Sequence, residues 1–257
     1  MNTFCFTVDD NIRFFRELTE APRASLFDHP YLAMYRRLHE KYGLKVQLNL
    51  FYRAGDFDLT QFSDCYRTQW EDCASWLKMS FHAEWETPKP YEHSAYQEVF
   101  DACKTVHDQI ERFAGSDTLA KTTTIHYCLT TDEGRKALSD LGYRGLLGLF
   151  GTKEQPHSSY SVPDELCPAI QQGNILSYDG VSIASIDIVL NNHTKEEILA
   201  KLQALHDREH INVMIHEQYF YPDYGRYQPD FEEKLDAAFA CLTENGYHSR
   251  FWEECLN

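Results

Sequence analysis

The feature that most constrains the fold of this chain is a nearly continuous apolar run, Thr3 to Val8, which leads directly into Asp9 and Asp10. A run that is apolar at both alternating positions predicts a strand covered on both faces, as in a parallel sheet. The residues from Ile12 onward have helical spacing. The two carboxylates therefore lie at a strand-to-helix junction, the edge where parallel α/β folds carry their chemistry. Capping of the helix by an Asp is the alternative interpretation.

Strand-like and helix-like segments alternate along the rest of the chain. Further strands are predicted at 45–52, 76–82, 121–128, 144–151, 181–190, 211–217 and 247–252, and helices at 12–18, 31–43, 60–75, 94–113, 130–143, 193–208 and 230–245. Residues from about 152 to 180, rich in Pro, Ser, Gln and Gly, predict a loop-rich insertion. We expect a single domain, residues 1–257, of the α/β class: a distorted or incomplete (β/α) barrel of about seven strands, with a Rossmann-like open sheet as the alternative.

The composition argues against several classes of protein. The formal net charge of −16 and the lack of a Lys/Arg run disfavour nucleic-acid binding. The eight cysteines include no CxxC pair, and the first residues do not resemble a signal peptide, so we expect a cytoplasmic protein with reduced thiols. No apolar run approaches the roughly 20 residues that span a bilayer. A nucleotide-using enzyme is disfavoured because neither GxGxxG nor GxxxxGK[ST] occurs.

Histidines end three of the predicted strands. They are His82, His126 and His216, and each closes an otherwise apolar segment. A single strand-end histidine is commonly a hydrogen-bonded structural residue. A barrel, however, brings all its strand ends to one rim, where these three would join Asp9 and Asp10. The pattern therefore predicts a metal site or an acid–base site.

Four short motifs resemble the motif series of the polysaccharide deacetylases in the same order. They are TVDDN, SFHAEWE, the TTIHYC segment before a helix that ends in LGY, and VMIHE. The resemblance covers most of the chain outside the insertion, and it implies a distorted βα barrel. It also implies that Asp9 is the catalytic base, that Asp10 and His82 bind a divalent metal, and that His216 protonates the leaving group. Glu86 stands where the family has its second metal-binding histidine.

The chain departs from the family pattern at four places. Asn11 replaces a glycine, Glu86 replaces the second histidine, residues 125–127 read Ile-His-Tyr in place of an Arg-Pro motif, and no acid occurs in 149–152. An Asp, His and Glu set is still an accepted ligand set for Zn²⁺, and it tolerates other divalent ions. Glu86 has an alternative role as a solvated loop carboxylate, like Glu84.

Two positions remain open in this interpretation. His126 is either the third metal ligand or the residue that orients Asp9 in place of the missing arginine. The acid that tunes His216 is assigned by position to Asp187 or Glu217.

Aromatic residues beside these motifs are candidate substrate contacts. They are Trp85, Tyr127, Tyr219 and Tyr221. Such rings suit a sugar or a peptide, and ordinary packing on the barrel rim is the alternative interpretation.

The resulting hypothesis is a metal-dependent hydrolase, with Zn²⁺ as the first choice of metal, that cleaves an amide or ester of a small-molecule or carbohydrate substrate. The alternative is a degenerate barrel that binds a carbohydrate-like ligand without hydrolysing it.

Overall fold

The computed structural model describes residues 2–150 and 159–256. Its strands are β1 (Thr3–Asn11), β2 (Val46–Phe51), β3 (Arg53–Ala54), β4 (Phe57–Asp58), β5 (Leu77–Ala83), β6 (Thr122–Thr123), β7 (Gly145–Gly148), β8 (Leu176–Tyr178), β9 (Val181–Ser185), β10 (Ile188–Val189), β11 (His210–His216) and β12 (His248–Ser249). Its α-helices are α1 (Arg13–Glu20), α2 (Pro30–Tyr42), α3 (Arg67–Cys73), α4 (Tyr96–Ala114), α5 (Asp132–Asp140), α6 (Cys167–Gln171), α7 (Lys195–Ala204) and α8 (Phe231–Glu244).

The larger strands form two sheets. In the six-stranded sheet the order is β10-β11-β1-β2-β5, with β12 beside the start of β1, and all of these pairs are parallel. The four-stranded sheet has the order β6-β7-β9-β8, in which only β8 is antiparallel to its neighbour. Since parallel neighbours need crossover connections, helices separate most of these strands.

The two sheets adjoin at both of their edges. A parallel bridge joins Met79 of β5 to Leu119, just before β6. On the other side β9 and β10 are consecutive pieces of one bent strand: the backbone N–H of Ile186 donates to β7, and that of Asp187 donates to β11. The ring runs through β1, β2, β5, β6, β7, β9–β10 and β11. It is a distorted or incomplete (β/α) barrel of about seven strands, as predicted, and not the Rossmann-like open sheet of the alternative.

Several elements are shorter than their sequence patterns predicted. The predicted strand 121–128 keeps only β6, because the chain turns into a 3₁₀ segment, His126–Cys128, in which Tyr127 and Cys128 have left-handed backbones. The predicted helix 60–75 begins only at Arg67. Two 3₁₀ turns precede it, and each is capped by the side chain of an Asp or Ser, which competes with helix formation. Of the predicted insertion, residues 159–180 contain α6 and β8, and residues 152–158 lie outside the described residues.

Strand β1 runs through the core and is buried along nearly its whole length. Phe4 and Phe6 pack against Phe239 of α8, with ring centroids 5.7 and 4.9 Å apart. Each buried Phe contributes roughly 2 kcal/mol of transfer free energy. The strand that carries Asp9 and Asp10 is therefore held rigidly. Among the described residues, no helix combines the length and the apolar composition needed to cross a membrane.

A buried polar network holds the end of β5. The hydroxyl of Tyr143 accepts a hydrogen bond from the backbone N–H of Phe81 at 3.0 Å, and it lies 2.8 Å from Nε2 of His107. Burial lowers the pKa of His107 to about 4, and the charge of Lys121 adds to this effect. His107 is therefore neutral in the folded protein at neutral pH, and its network supports the residue next to His82.

Acidification is expected to destabilise the protein through His107. The unfolded state takes up a proton near pH ~6.5, whereas the folded state does so only near pH 4. The contribution of this neutral His to the free energy of unfolding is complete above pH ~6.5, and up to about 3 kcal/mol of it is lost as the pH falls toward 4. Urea unfolding at about pH 7 and about pH 4.5 measures the loss. His107→Gln should lose less between the two pH values; an equal loss in both proteins would contradict the assignment.

Candidate metal centre

Three potential metal ligands converge at the carboxyl ends of the strands. The distances are 3.0 Å from Asp10 Oδ1 to His82 Nε2, 3.3 Å from Asp10 Oδ1 to His126 Nδ1, and 3.1 Å between the two ring nitrogens. All three side chains are largely buried. Ligands of a tetrahedral zinc ion lie about 3.4 Å from one another. The triangle therefore has the dimensions of one face of a metal site.

An irregularity in β1 places the carboxylate of Asp10 in this triangle. Consecutive residues of a regular strand point to opposite faces of the sheet. Here the pairing of β1 with β2 shifts register between Val8 and Asn11, and Asp10 has a left-handed backbone with φ 65°. Such a backbone is strained for a residue other than Gly and is found preferentially at functional sites. As a result, Asp9 and Asp10 both line the same cavity.

The hydrogen bonds of His82 prepare its ring to bind a cation. Its Nδ1 lies 2.5 Å from the carbonyl oxygen of Thr124, which can only accept, so Nδ1 carries the proton. In the neutral ring Nε2 then presents a lone pair to Oδ1 of Asp10. That buried oxygen has no hydrogen-bond partner among the described residues. Two acceptors facing each other in a buried site need a shared proton or a cation, so the residues present fit a divalent metal.

The electrostatics of Asp10 favour its charged form. Burial by itself would raise the pKa of Asp10, but the interactions with His126 and His82 outweigh burial, and the pKa lies well below its ordinary value. The carboxylate is therefore charged. Its other oxygen, Oδ2, accepts a hydrogen bond of 2.6 Å from Nε2 of Gln218, which fixes its orientation.

Glu86 is not part of this triangle. It is exposed on the loop after β5 and lines the margin of the cavity. The structure thus brings His126 to Asp10 and His82, while Glu86 stays outside the cluster of ligand atoms.

Asp9 lies beside the triangle at the end of a chain of buried amides. Gln47 donates to Asn49 at 2.8 Å, and Asn49 donates to Oδ1 of Asp9 at 2.7 Å. Burial raises the pKa of Asp9 well above its ordinary value, although the bond from Asn49 opposes the rise. A buried carboxyl with a raised pKa is suited to proton transfer near neutral pH. The amide of Asn49 orients Asp9, a role that was one of the two alternatives for His126.

His216 reaches the same cavity from β11. Its Nδ1 lies 2.9 Å from Oδ1 of Asn191, and its backbone N–H donates to the same oxygen at 3.2 Å. Burial lowers the pKa of His216, although the charge of Asp10 opposes this. No carboxylate is hydrogen-bonded to the ring of His216 in the described chain. We therefore expect this ring to be neutral at neutral pH.

Both acids assigned to His216 by position are therefore wrong. Asp187 forms an ion pair with Arg208 and accepts from the backbone N–H of Asn212. Glu217 points away to the start of α1, where its carboxylate accepts hydrogen bonds from three consecutive backbone N–H groups, 12–14. Glu217 therefore caps the amino end of α1, where the N-cap residue makes no side-chain hydrogen bond to the helix.

The cavity around these residues has a volume of about 790 Å³. Of the four aromatic residues proposed to contact substrate, Tyr127 and Tyr219 line it. Tyr221 is buried and donates its hydroxyl hydrogen to Glu217. Trp85 lies beside a separate cavity, with its ring 5.0 Å from the guanidinium of Arg53.

Sequence reasoning missed the amides that orient the site, namely Asn49, Asn191 and Gln218. A signal existed for Asn49, because VQLNLF carries polar residues at alternate positions of an otherwise apolar, buried strand. The other two lie in segments without a comparable pattern, so only the tertiary structure identifies them.

No family model matches the sequence, and no curated protein matches it. Solved structures do match. An acetyl xylan esterase of family 4 from Clostridium thermocellum, in complex with a cobalt ion, is 13% identical with a TM-score of 0.55, and the match covers 98% of this chain and 89% of that one. A CE4 family pseudoenzyme from Bacillus anthracis is 11% identical with a TM-score of 0.53, and the match covers 100% of this chain but only 66% of that protein.

A 4-alpha-glucanotransferase from Thermococcus litoralis also matches, with 14% identity and a TM-score of 0.61 over 98% of this chain and 40% of that protein. One barrel type thus carries different activities, and at these identities the likeness concerns the fold. Polysaccharide deacetylases are among the other structures that match. The protein thus has the fold of the CE4 polysaccharide deacetylases, as its motif series predicted, at a sequence identity of only 10–13% to these four structures.

Proposed function

We propose that this protein is a metal-dependent hydrolase of the deacetylase type, which cleaves an amide or ester of a small, carbohydrate-like substrate. The observation that carries the proposal is the buried triangle of Asp10, His82 and His126. Its carboxylate oxygen has no hydrogen-bond partner among the described residues. A divalent metal held there, with Zn²⁺ as the first choice for this donor set, would polarise the scissile carbonyl and acidify a water molecule.

Two further side chains would move protons. Asp9, with its raised pKa, would take the proton of the attacking water. His216 would protonate the leaving amine or alkoxide. Its Nδ1 faces an amide oxygen that already accepts from the backbone, so Nδ1 carries a hydrogen and Nε2 remains as the titrating nitrogen.

The rest of the cavity suits a sugar. The rings of Tyr127 and Tyr219 offer apolar faces with polar tips, and such surfaces pack against the C–H faces of a carbohydrate. A reducing compartment such as the cytoplasm is part of the proposal, and the eight free cysteines agree with it.

Release of acetate tests the proposed reaction. The protein is stripped with a chelator, reloaded with Zn²⁺ or Co²⁺, and incubated with N-acetylglucosamine oligomers, acetylated xylo-oligosaccharides and an aryl acetate. We expect acetate only from the reloaded protein. Equal release by the stripped protein would contradict the metal-dependent reaction.

A second function, ligand binding without hydrolysis, is favoured by one observation: His216 is held by the amide of Asn191 and not by a carboxylate. A neutral partner does not stabilise the imidazolium that would protonate the leaving group.

Replacing Asn191 with Asp is expected to raise the pKa of His216 by roughly one unit or more, because an adjacent carboxylate stabilises the imidazolium. Titration followed by NMR of labelled histidine measures the shift. Asn192→Asp is the matched control, because Asn192 is exposed and the substitution adds the same charge one residue away from Asn191. If Asn191→Asp also raises the rate of acetate release, the hydrolase proposal is supported; a raised pKa without any hydrolysis supports the binding function.

A further inference from the structure

A second cluster of metal-binding side chains lies at the opposite end of the barrel. Strands β1 and β11 pair in parallel from Thr3 with His210 to Asp9 with His216, so His210 is at the amino ends of the strands, away from the candidate centre. There the ligand atoms of Cys5, His210 and Cys255 all lie within 4.8 Å of one another. We propose that these three residues bind a thiophilic divalent cation, Zn²⁺ above all.

The hydrogen bonds of His210 direct one nitrogen into the cluster. Asn212 donates its amide hydrogen to the carbonyl of Ser185 at 2.9 Å, which leaves its Oδ1 as an acceptor 2.8 Å from His210 Nε2. Nε2 therefore carries the proton, and Nδ1 keeps its lone pair. The hydroxyl of Thr3 lies 2.9 Å from Nδ1 and 3.9 Å from the sulfur of Cys255. An oriented imidazole backed by an amide oxygen is a usual arrangement for a metal ligand.

The donor set selects the kind of cation. Two sulfurs and one imidazole nitrogen are the ligands of Cys₂His zinc sites, in which an oxygen completes the tetrahedron. The Thr3 hydroxyl or a water molecule can supply that oxygen. Hard cations such as Mg²⁺ and Ca²⁺ prefer oxygen ligands and are disfavoured here. The sulfur atoms of Cys5 and Cys255 lie within 4.8 Å of each other and of a ring nitrogen of His210, so one cation can contact all three.

The cation would attach the last described segment of the chain to its first strand. Cys255 ends a 3₁₀ segment, Trp252–Cys255, and Trp252 is almost completely buried. Trp252 packs so closely on β7 that a Cβ at Gly145 would lie only 2.2 Å from its ring. This segment packs against the end of the barrel at which the strands have their amino ends. A metal bound by Cys5 and Cys255 would hold the segment against β1.

Cobalt spectroscopy tests the proposal with a signal that the Asp10 centre cannot give. Only thiolate ligands produce intense near-ultraviolet charge-transfer absorption with Co²⁺. Four versions of the full chain are compared: wild type, Asp10→Asn, Cys255→Ser and Cys65→Ser. Each is reduced with a phosphine and titrated with Co²⁺ in the absence of oxygen. Cys65 is an exposed thiol outside the cluster and serves as the matched control.

We expect Asp10→Asn to show the full band at one equivalent, and wild type and Cys65→Ser to reach the same band within two equivalents, because their Asp10 centre also takes up Co²⁺. Cys255→Ser should lose it and bind one zinc fewer than wild type by elemental analysis. His210→Asn provides a second variant if Cys255→Ser does not fold, and it should weaken binding by about 100-fold or more. The proposal is overturned if the reduced wild type shows no band, or if the band survives in Cys255→Ser. It is also overturned if the two thiols form a disulfide on mild oxidation and the reduced protein binds no metal there.

Discussion

Replacing His126 with Ala is expected to lower the affinity of the Asp10 centre for zinc by about 100-fold or more, while Glu86→Gln changes it by roughly threefold or less. His126 Nδ1 lies 3.3 Å from Asp10 Oδ1 and 3.1 Å from His82 Nε2, so its loss removes one of three ligand atoms. Glu86 is exposed, and water and salt screen its charge. A competition titration with a chromophoric chelator measures both affinities.

The titration is made in a Cys255→Ser background, so that the cysteine cluster does not compete for zinc. Glu84→Gln is the matched control for Glu86→Gln, because it removes a charge from the same loop. If Glu86→Gln weakens zinc binding as much as His126→Ala does, the ligand set proposed from the triangle is wrong and the assignment by motif position is right. If Glu84→Gln weakens it equally, the loop acts only through its charge.

Asp9→Asn and His216→Ala are each expected to lower kcat by roughly 10² to 10⁴, the usual contribution of a group that transfers a proton in the transition state. Asp9 lies next to the metal triangle on the same strand, and His216 reaches the cavity from the adjacent β11. Neither side chain is needed to bind the metal, so both variants should keep their zinc. The measurement is acetate release by zinc-loaded protein, with metal content determined on the same samples.

Loss of stability is the competing explanation for an inactive variant. Asn49→Leu removes the hydrogen bond to Oδ1 of Asp9 and leaves the carboxyl group itself in place. It should shift the pH dependence of kcat and leave the metal content nearly unchanged. Tyr221→Phe, which removes a buried hydroxyl outside the cavity, is the matched control for stability. The acid–base assignment is contradicted if Asp9→Asn and His216→Ala fold, bind zinc and retain full activity on a substrate that the wild type cleaves.

The spacing of apolar residues along the sequence was sufficient to predict the elements whose burial depends on their own residue types. The apolar run of β1 predicted a strand covered on both faces, and the parallel sheet around β1 agrees with that prediction. Burial of apolar surface depends on residue type and spacing, and both are visible in the sequence.

Contacts between distant segments could not be predicted in the same way. The position of His126 beside Asp10 and His82 depends on a left-handed turn at Tyr127 after a two-residue strand, and nothing in the local composition requires that turn. The partner of His216 is Asn191 and not the more acidic candidates, because the bend between β9 and β10 turns Asp187 toward Arg208.

The sequence by itself thus determined the class of fold, the strand that organises it and the residue types available for chemistry. The tertiary structure decided which of those residues meet. The physical reason is that a hydrogen bond or a metal ligand needs atoms placed to within a few tenths of an ångström. Apolar patterning specifies only which face of an element is buried, and the bulge at Asp10 shows that a shift of one residue in strand pairing decides where a side chain points.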